Sequence, residues 1–146
     1  KTEIFAGAAA DPSYKNLKVL KMRTEQKKEA GAGFIQTQMI MDKKYLIDFC
    51  NEISEPLNLP VLAGVFFLKS YKNALFINKF VPGANIPDNL LKRLKESGNP
   101  IEEGINIAAE QLREFIEISQ GVHIMAVKSE HLIPEILKRA EINLEY

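Results

Sequence analysis

Residues 61–67 read VLAGVFF, an apolar run with the length of one strand. A strand that is apolar at every position is typical of a parallel sheet covered on both faces. Three more strand-length segments occupy residues 3–8, 34–40 and 122–127, and amphipathic segments of helical length separate the four. Strands that alternate with helices at this spacing predict a parallel α/β fold, because parallel strands need long crossover connections.

The amphipathic segments carry the start and stop signals of helices. The first predicted helix covers residues 14–30 and ends at Gly31, since a residue without a Cβ readily takes the left-handed conformation. Asp42 is a natural N-cap for the second helix, and Ser129 for the last one. Between the third and fourth strands we expect a short segment and two helices, at residues 71–80, 87–96 and 101–120.

The composition is that of an ordinary soluble domain. The chain has 146 residues, a length sufficient for one domain with a substantial core. Hydrophobic residues make up 46% and charged residues 26%, which is typical of soluble domains. Nineteen basic and nineteen acidic residues cancel, and this balance argues against a nucleic acid or a membrane surface as partner. No apolar run approaches the roughly 20 residues of a membrane span. The single cysteine, Cys50, fits a reducing cytoplasm, and its apolar neighbours favour a buried, inert thiol.

Two parallel folds are compatible with four βα units. The sheet is either a short, open, flavodoxin-like sheet or half of an eight-unit barrel of typically about 250 residues. Because the chain enters its first strand almost at Lys1, we expect it to be a piece of a longer protein. In both folds ligands bind beyond the carboxyl ends of the strands, which directs attention to the loops after the four strands.

Two glutamines mark the second strand. Gln36 and Gln38 lie on one face because side chains alternate along a strand, and a buried amide without a partner costs about 1–3 kcal/mol. Gln38 lies at the carboxyl end, where either a ligand or a neighbouring strand would satisfy it. For Gln36 we favour a polar layer within the core, in which neighbouring strands supply the hydrogen-bond partners, over a ligand.

The remaining polar residues give weak signals. The small residues 7–12 would let a ligand approach the backbone, although they are also typical of a plain βα turn. Arg23 and Lys27 are expected on a solvated helix face. His123 and His131 lie in the last strand and the last helix. The sequence has no cluster of residues with the spacing of a metal site and no recognisable catalytic triad.

Four sequence segments resemble one enzyme family. Residues 30–38 read AGAGFIQTQ and Asp42 follows them, which resembles a characteristic stretch of the methylenetetrahydrofolate reductases. The segments PVLAGV at 60–65, VPGANIP at 81–87 and GVHIMAV at 121–127 are similar to later segments of that family, in the same order.

The resemblance implies a (β/α)8 TIM barrel, of which this chain is a single domain over residues 1–146 that forms the C-terminal half. It implies FAD at the carboxyl face and flavin-dependent reduction of 5,10-methylenetetrahydrofolate to 5-methyltetrahydrofolate. NAD(P)H or an electron-donor protein would reduce the flavin. The catalytic residues are expected in the other half, so this chain is not expected to turn over alone.

The resemblance also implies roles for individual residues. Gln38 matches a glutamine that contacts folate, and Lys27 matches a lysine that contacts the flavin cofactor. The other cofactor contacts implied by position are Phe5, Gly7, Asp11 and Arg23.

At several positions the sequence departs from better-known members. Asn73 stands in place of a second folate-contacting glutamine, and Ile77 in place of a stacking phenylalanine. Ser129 replaces an arginine near the substrate tail, with Lys128 beside it as a substitute contact, and Leu20 replaces an acidic residue that meets the flavin. These departures favour a divergent branch, with a partner protein as electron donor or a modified pterin as carrier.

Two further hypotheses stay open from the sequence. The chain is alternatively a non-catalytic half-barrel that pairs with a separate half, or self-associates, to bind or regulate. A half-barrel favours such association because it leaves strand edges unpaired. The third hypothesis is an unrelated standalone α/β domain.

Overall fold

The computed structural model describes residues 4–142. Their centre is one sheet of four parallel strands: β1 Gly7–Ala10, β2 Phe34–Met39, β3 Val61–Phe66 and β4 Gly121–Met125. The strands lie side by side in the order β1-β2-β3-β4. The predicted parallel α/β class is therefore confirmed.

The crossover connections are helical, as predicted. Within residues 4–142 the α-helices are α1 Leu17–Glu29, α2 Lys43–Phe49, α3 Tyr71–Phe80, α4 Asp88–Glu96, α5 Pro100–Ile118 and α6 Ile133–Arg139. A π-helical turn, Cys50–Ser54, extends α2, and a 3₁₀ turn, Glu130–Leu132, precedes α6. No helix in this part of the chain combines the length and the hydropathy needed to cross a bilayer.

The strand order shows how the sheet is wound. A doubly wound sheet such as that of flavodoxin reverses direction at a switch point. Here each strand pairs with its neighbour in sequence, so the order has no reversal. Right-handed crossovers then place the connecting helices on one face of the sheet. The exposure along β2 before its irregularity agrees with this, since Ile35 and Thr37 are buried while Gln36 and Gln38 are exposed.

The helix-covered face holds the main core. Side chains from the sheet, such as Ile35 and Val65, pack with Phe49 of α2 and with Leu112 and Phe115 of α5. A second apolar cluster joins α3, α4 and α5 through Ala74, Ile77, Leu90, Leu94 and Ile107. Arg93 of α4 adds hydrogen bonds to α5, with Nε 2.6 Å from Glu103 and one terminal nitrogen 2.7 Å from Glu110.

One expectation about β3 is wrong on the face of the sheet opposite the crossover helices, which we call the open face. Its apolar sequence predicted burial on both sides, but Leu62 and Phe66 are only half-buried. Leu62 lies on the open face, and Phe66 packs against the second apolar cluster. The two glutamines of β2 lie on the same face, as expected, and both are exposed, so the burial expected for Gln36 is wrong.

The first strand lies further along the chain than predicted. It covers Gly7–Ala10 instead of residues 3–8, because pairing with β2 begins with Gly7 beside Phe34. Phe5 lies outside the strand, is 76% exposed and stacks its ring on Phe34 with 5.4 Å between centroids. The predicted boundaries were wrong because they rested on apolar character alone. Glu3, the predicted start, lies outside the described residues.

Two other local predictions need correction. The short segment predicted at residues 71–80 is the ten-residue helix α3, whose start is capped by Ser70 through a 3.1 Å bond from Asn73 N–H. Ser129 makes no side-chain cap bond; it begins the 3₁₀ turn through its backbone, and α6 starts only at Ile133.

Cys50 is expected to be chemically inert in the folded protein. Its side chain is buried, and desolvation raises the pKa of the thiol, so the reactive thiolate is disfavoured. A thiol reagent such as DTNB should modify it only after denaturant unfolds the chain. Rapid stoichiometric labelling of the native protein would contradict this placement.

Candidate ligand-binding site at the carboxyl ends of the strands

Two adjoining cavities border the sheet, one along its open face and one beyond the carboxyl end of β1. The first, about 310 Å³ in volume, lies on the open face and is lined by residues of β1, β2 and β4: Gly7, Ala8, Ala9, Phe34, Gln36, Thr37, Gln38, His123 and Met125. The second, about 230 Å³, lies beyond the end of β1 against α1 and is lined by Ala9, Ala10, Asp11, Tyr14, Leu20, Arg23, Lys27 and Gln38. Gln38 and Ala9 line both cavities.

Small residues of β1 make room for these cavities. The strand reads GAAA, so none of its side chains extends beyond a methyl group. Ala9 therefore leaves its backbone accessible between the two cavities. A Cβ on Gly7 would overlap the ring of Phe34, so a larger residue there would require this ring to move. The predicted site at the small-residue loop is thus extended into the strand itself.

A bulge in β2 shapes the backbone beside Gln38. Gln36 pairs with Leu62 and Met39 pairs with Gly64, so β2 has one residue more than β3 over this interval. The N–H of Gly64 donates to Oγ1 of Thr37 at 2.9 Å, and that hydroxyl donates to the carbonyl of Gln38 at 2.8 Å. The Thr37 hydroxyl therefore makes two hydrogen bonds to groups that would bond through the backbone in a regular ladder.

His123 completes the bulge from two strands away. Its Nε2 lies 2.9 Å from the carbonyl oxygen of Thr37, and its Nδ1 lies 3.4 Å from Nε2 of Gln36. The ring reaches β2 by passing over Gly64, the residue of β3 in register with His123. A Cβ on Gly64 would come 2.7 Å from the Gln38 carbonyl oxygen and 3.0 Å from His123 Nε2. Only glycine fits there.

Cationic groups of α1 border the second cavity. Lys27 donates from Nζ to the carbonyl oxygen of Ala9 at 2.5 Å, which ties the helix to the end of β1. Arg23, one turn earlier, lies over the ring of Tyr14 with 5.2 Å from the guanidinium carbon to the centroid. These two positive charges make the wall suited to an anionic group.

Asp11 is held by its own loop. Its Oδ1 accepts from the backbone N–H of Ser13 at 3.0 Å and from the Ser13 hydroxyl at 2.6 Å. The same hydroxyl lies 3.2 Å from the carbonyl of Gly83, and Gly83 has a positive φ of 81° beside the Asp11 carboxylate. Asp11 therefore organises the loop after β1 and presents a negative charge to the second cavity.

The structure brings together five of the eight predicted site residues. Gly7, Asp11, Arg23, Lys27 and Gln38 line the two cavities. Phe5 lines neither cavity itself, but its ring stacks on Phe34, which lines the first one.

Asn73 and Lys128 line neither cavity. The Oδ1 of Asn73 accepts from the N–H of Lys69 at 3.2 Å, so this amide helps to start α3. Lys128 is exposed, with a positive φ of 55°, and its N–H donates to the Glu130 carboxylate at 3.0 Å. The backbone N–H groups of Glu130 itself and of Lys128 lower the pKa of the Glu130 carboxyl group.

The departures from better-known family members lie in different environments. Leu20 is buried and forms part of the second cavity's wall, so an apolar group stands where an acidic residue was expected in relatives. Ile77 is buried in the second apolar cluster, and Ser129 is buried in the turn before α6.

Sequence reasoning missed Thr37, Gly64 and His123 as parts of the site. His123 was recognised only as a strand residue, and Gly64 only as part of an apolar run. A usable signal was that His123 shares strand parity with Gly121 and Met125, which predicts one common face. Nothing in the sequence shows, however, that this face is open and shared with Gln36.

The comparisons with known proteins give the family. The sequence model described as methylenetetrahydrofolate reductase matches residues 5–141. The chain is 28% identical over 129 residues to methylenetetrahydrofolate reductase 2 of Schizosaccharomyces pombe, an alignment that covers 79% of this chain and 20% of that protein. This chain belongs to the methylenetetrahydrofolate reductase family.

A solved structure shares the fold. The structure of a Clostridium thermocellum protein that binds two copies of 5-methyl-5,6,7,8-tetrahydrofolic acid superposes with a TM-score of 0.67 at 19% identity. The match covers 92% of this chain and 51% of that chain. The present chain thus spans about half of the solved relative and a fifth of the fungal one.

Proposed function

We propose that this chain supplies part of the FAD and folate site of an enzyme that reduces 5,10-methylenetetrahydrofolate to 5-methyltetrahydrofolate. The observation that carries the proposal is the position of Gln38 between two adjoining cavities, in a chain of the methylenetetrahydrofolate reductase family. NAD(P)H or an electron-donor protein is the proposed source of electrons.

The proposal includes a barrel of which these four βα units are half. Three features support it. The strand order has no reversal, as in successive units of a barrel. The open face carries apolar side chains that are only half-buried: Leu62, and Phe66 and Met125 beside the second apolar cluster. In addition, β1 and β4 each pair on one side only within the described residues, so both edges offer hydrogen-bonding groups to further strands. A preceding half would cover the face and the edges together.

The second cavity is proposed to take part of a flavin dinucleotide, and the cations along its wall support this. Arg23 and Lys27 would hold its diphosphate, and the short side chains of Ala9 and Ala10 would let it approach the end of β1. A bound flavin would supply the hydride for the reduction. Leu20 gives this wall an apolar group where an acidic one is expected in relatives, so the flavin would lose one polar contact there.

The first cavity is proposed to take the pterin. Gln38 presents an amide that both donates and accepts, which matches the alternating donors and acceptors along the edge of a pterin ring. The solved relative that binds 5-methyl-5,6,7,8-tetrahydrofolic acid supports this choice of ligand class. The apolar parts of Phe34 and Met125 offer surfaces on which a flat ring can pack.

Replacing Gln38 by leucine is expected to raise the Kd of the full-length protein for 5-methyltetrahydrofolate by about 10- to 100-fold. Loss of hydrogen bonds that only this amide supplies is worth about 1–3 kcal/mol, and leucine has a similar volume. Isothermal titration calorimetry would measure the change. Gln26 is a matched control, since it is exposed on α1 and lines neither cavity. Equal affinities for Q38L and the wild type would exclude Gln38 as the pterin contact.

The flavin part of the proposal has a separate test. The full-length protein should show flavin absorbance or take up FAD, and Lys27→Met should lower its FAD occupancy. A protein that binds 5-methyltetrahydrofolate but remains colourless after reconstitution would instead favour the alternative function, a non-catalytic folate-binding half that pairs with another subunit. A protein that binds neither ligand would contradict both functions.

A further inference from the structure

The β2 bulge needs a hydrogen-bond donor that the sheet itself does not provide. Since the N–H of Gly64 is bonded to the Thr37 hydroxyl, the carbonyl of Thr37 loses a regular ladder partner. Bulges are rare between parallel strands, and an unpaired carbonyl beside a partly buried position costs free energy. The donor within reach is the imidazole of His123 at 2.9 Å.

The direction of this hydrogen bond assigns the tautomer of His123. A carbonyl oxygen can only accept, so Nε2 of His123 must carry the proton. In the neutral ring Nδ1 is then an acceptor, and the Gln36 amide nitrogen, 3.4 Å away, is a suitable donor. One neutral ring can thus donate to the Thr37 carbonyl and accept from the Gln36 amide, the two residues of β2 that precede Gln38.

The path of the ring between the strands is set by Gly64. His123 is on β4 and Thr37 on β2, so the ring must cross the whole width of β3. It can do so because Gly64 has no side chain on the open face, where a Cβ would lie 3.0 Å from His123 Nε2. The carbonyl of Gln38 occupies the same small space. The orientation of the peptide between Thr37 and Gln38 is therefore set by three residues: His123, Gly64 and Thr37.

We propose that His123 is a positioning residue for Gln38. By donating from Nε2 to the Thr37 carbonyl across Gly64, it holds the β2 bulge in the orientation that places the Gln38 amide between the two cavities. The assignment of the pterin to Gln38 rests on the proposed function, whereas the His123–Thr37 bond and its tautomer do not. His123 is not required to touch the ligand for this role.

Two variants separate the Nε2 donor from the rest of the ring. Glutamine can place an amide N–H near the position of Nε2, whereas alanine removes the donor. We expect His123→Ala to raise the Kd of the full-length protein for 5-methyltetrahydrofolate about tenfold, and His123→Gln to remain within about threefold of the wild type. His131→Ala controls for loss of an imidazole elsewhere, since His131 is exposed and lines neither cavity. Unchanged affinity in H123A, or equal losses in H123A and H123Q, would overturn the proposal.

A second measurement works on the unaltered protein. Long-range ¹H–¹⁵N spectra of the imidazole, recorded at a pH where it is neutral, should show His123 protonated at Nε2 and unprotonated at Nδ1. An Nδ1–H tautomer, or averaging between the two, would overturn the proposal even if the variants do not fold. If the spectrum shows the expected tautomer but the wild-type protein does not bind 5-methyltetrahydrofolate, the proposed function fails and the His123–Thr37 bond stands.

Discussion

Replacing Gly104 by alanine is expected to destabilise the protein by up to about 2 kcal/mol, even though alanine is the better helix former. Gly104 is buried in α5, and a Cβ there would overlap the backbone carbonyl of Leu68 and lie 2.9 Å from the ring of Phe67. The gain in helix propensity is about 1 kcal/mol. Overpacking against backbone costs about 1–3 kcal/mol, because the helix itself must move away from the end of β3.

Equilibrium denaturation by urea would measure this loss. Gly98→Ala is the matched control, because a Cβ at Gly98 meets no atom within 4 Å and its φ lies outside the left-handed region. We expect the control to change the free energy of unfolding by less than about 0.5 kcal/mol. If G104A were as stable as G98A, α5 could not pack as closely on Leu68 as the structure shows.

The second large effect is expected at Gly64, where stability and ligand affinity should fall together. Alanine would bring a Cβ within 2.7 Å of the Gln38 carbonyl and 3.0 Å of the His123 and Met125 side chains. Met125 can move, but the backbone of Gln38 can move only if the bulge changes. We expect a loss of about 1–3 kcal/mol in unfolding free energy and at least about tenfold weaker binding of 5-methyltetrahydrofolate.

Gly121→Ala is the control for Gly64→Ala. It is a glycine of β4 with the same strand parity as His123, and its Cβ would meet only Cδ2 of Leu62, at 2.8 Å, which a rotation of the leucine side chain relieves. Denaturation curves and ligand titrations of both variants give the comparison. The bulge is not needed for binding if G64A is destabilised but retains the affinity of the wild type for 5-methyltetrahydrofolate.

Much of the fold was predictable because it depends on local patterns. The alternation of apolar and amphipathic segments gave the strands β2, β3 and β4 and the helices α1, α4 and α5 to within a few residues. Asp42 caps α2 as expected, with its Oδ1 accepting from Lys44 N–H at 2.9 Å. These features are set by neighbours in sequence, which is why periodicity and capping rules recover them.

The errors share one physical cause. The boundary of β1 depends on its pairing with β2, and residues 71–80 form α3 because their apolar side chains, such as Ala74 and Ile77, pack on α4 and α5. A sequence pattern cannot show which apolar segment will find a partner. Similarly, the predicted burial of Gln36 failed because the face it shares with Gln38 is not covered by helices.

For the candidate site, its position along the predicted strand placed Gln38 at a carboxyl end, and the family resemblance pointed to Gly7, Asp11, Arg23 and Lys27. The structure adds that these residues converge on two adjoining cavities, while Phe5, Asn73 and Lys128 lie elsewhere. Their roles in binding remain predictions that the Gln38 and Lys27 variants test.

The sequence by itself determined the class of the fold and the spacing of its βα units, and it predicted the end of the sheet at which a ligand is expected. Only the tertiary structure decided the strand order, the open face and the bulge that His123 holds across Gly64. The physical reason is separation along the chain: His123 meets the Thr37 carbonyl 86 residues away, and Thr37 meets the Gly64 N–H 27 residues away. Such contacts exist only once the strands have paired, and no local preference of any of the three residues encodes them.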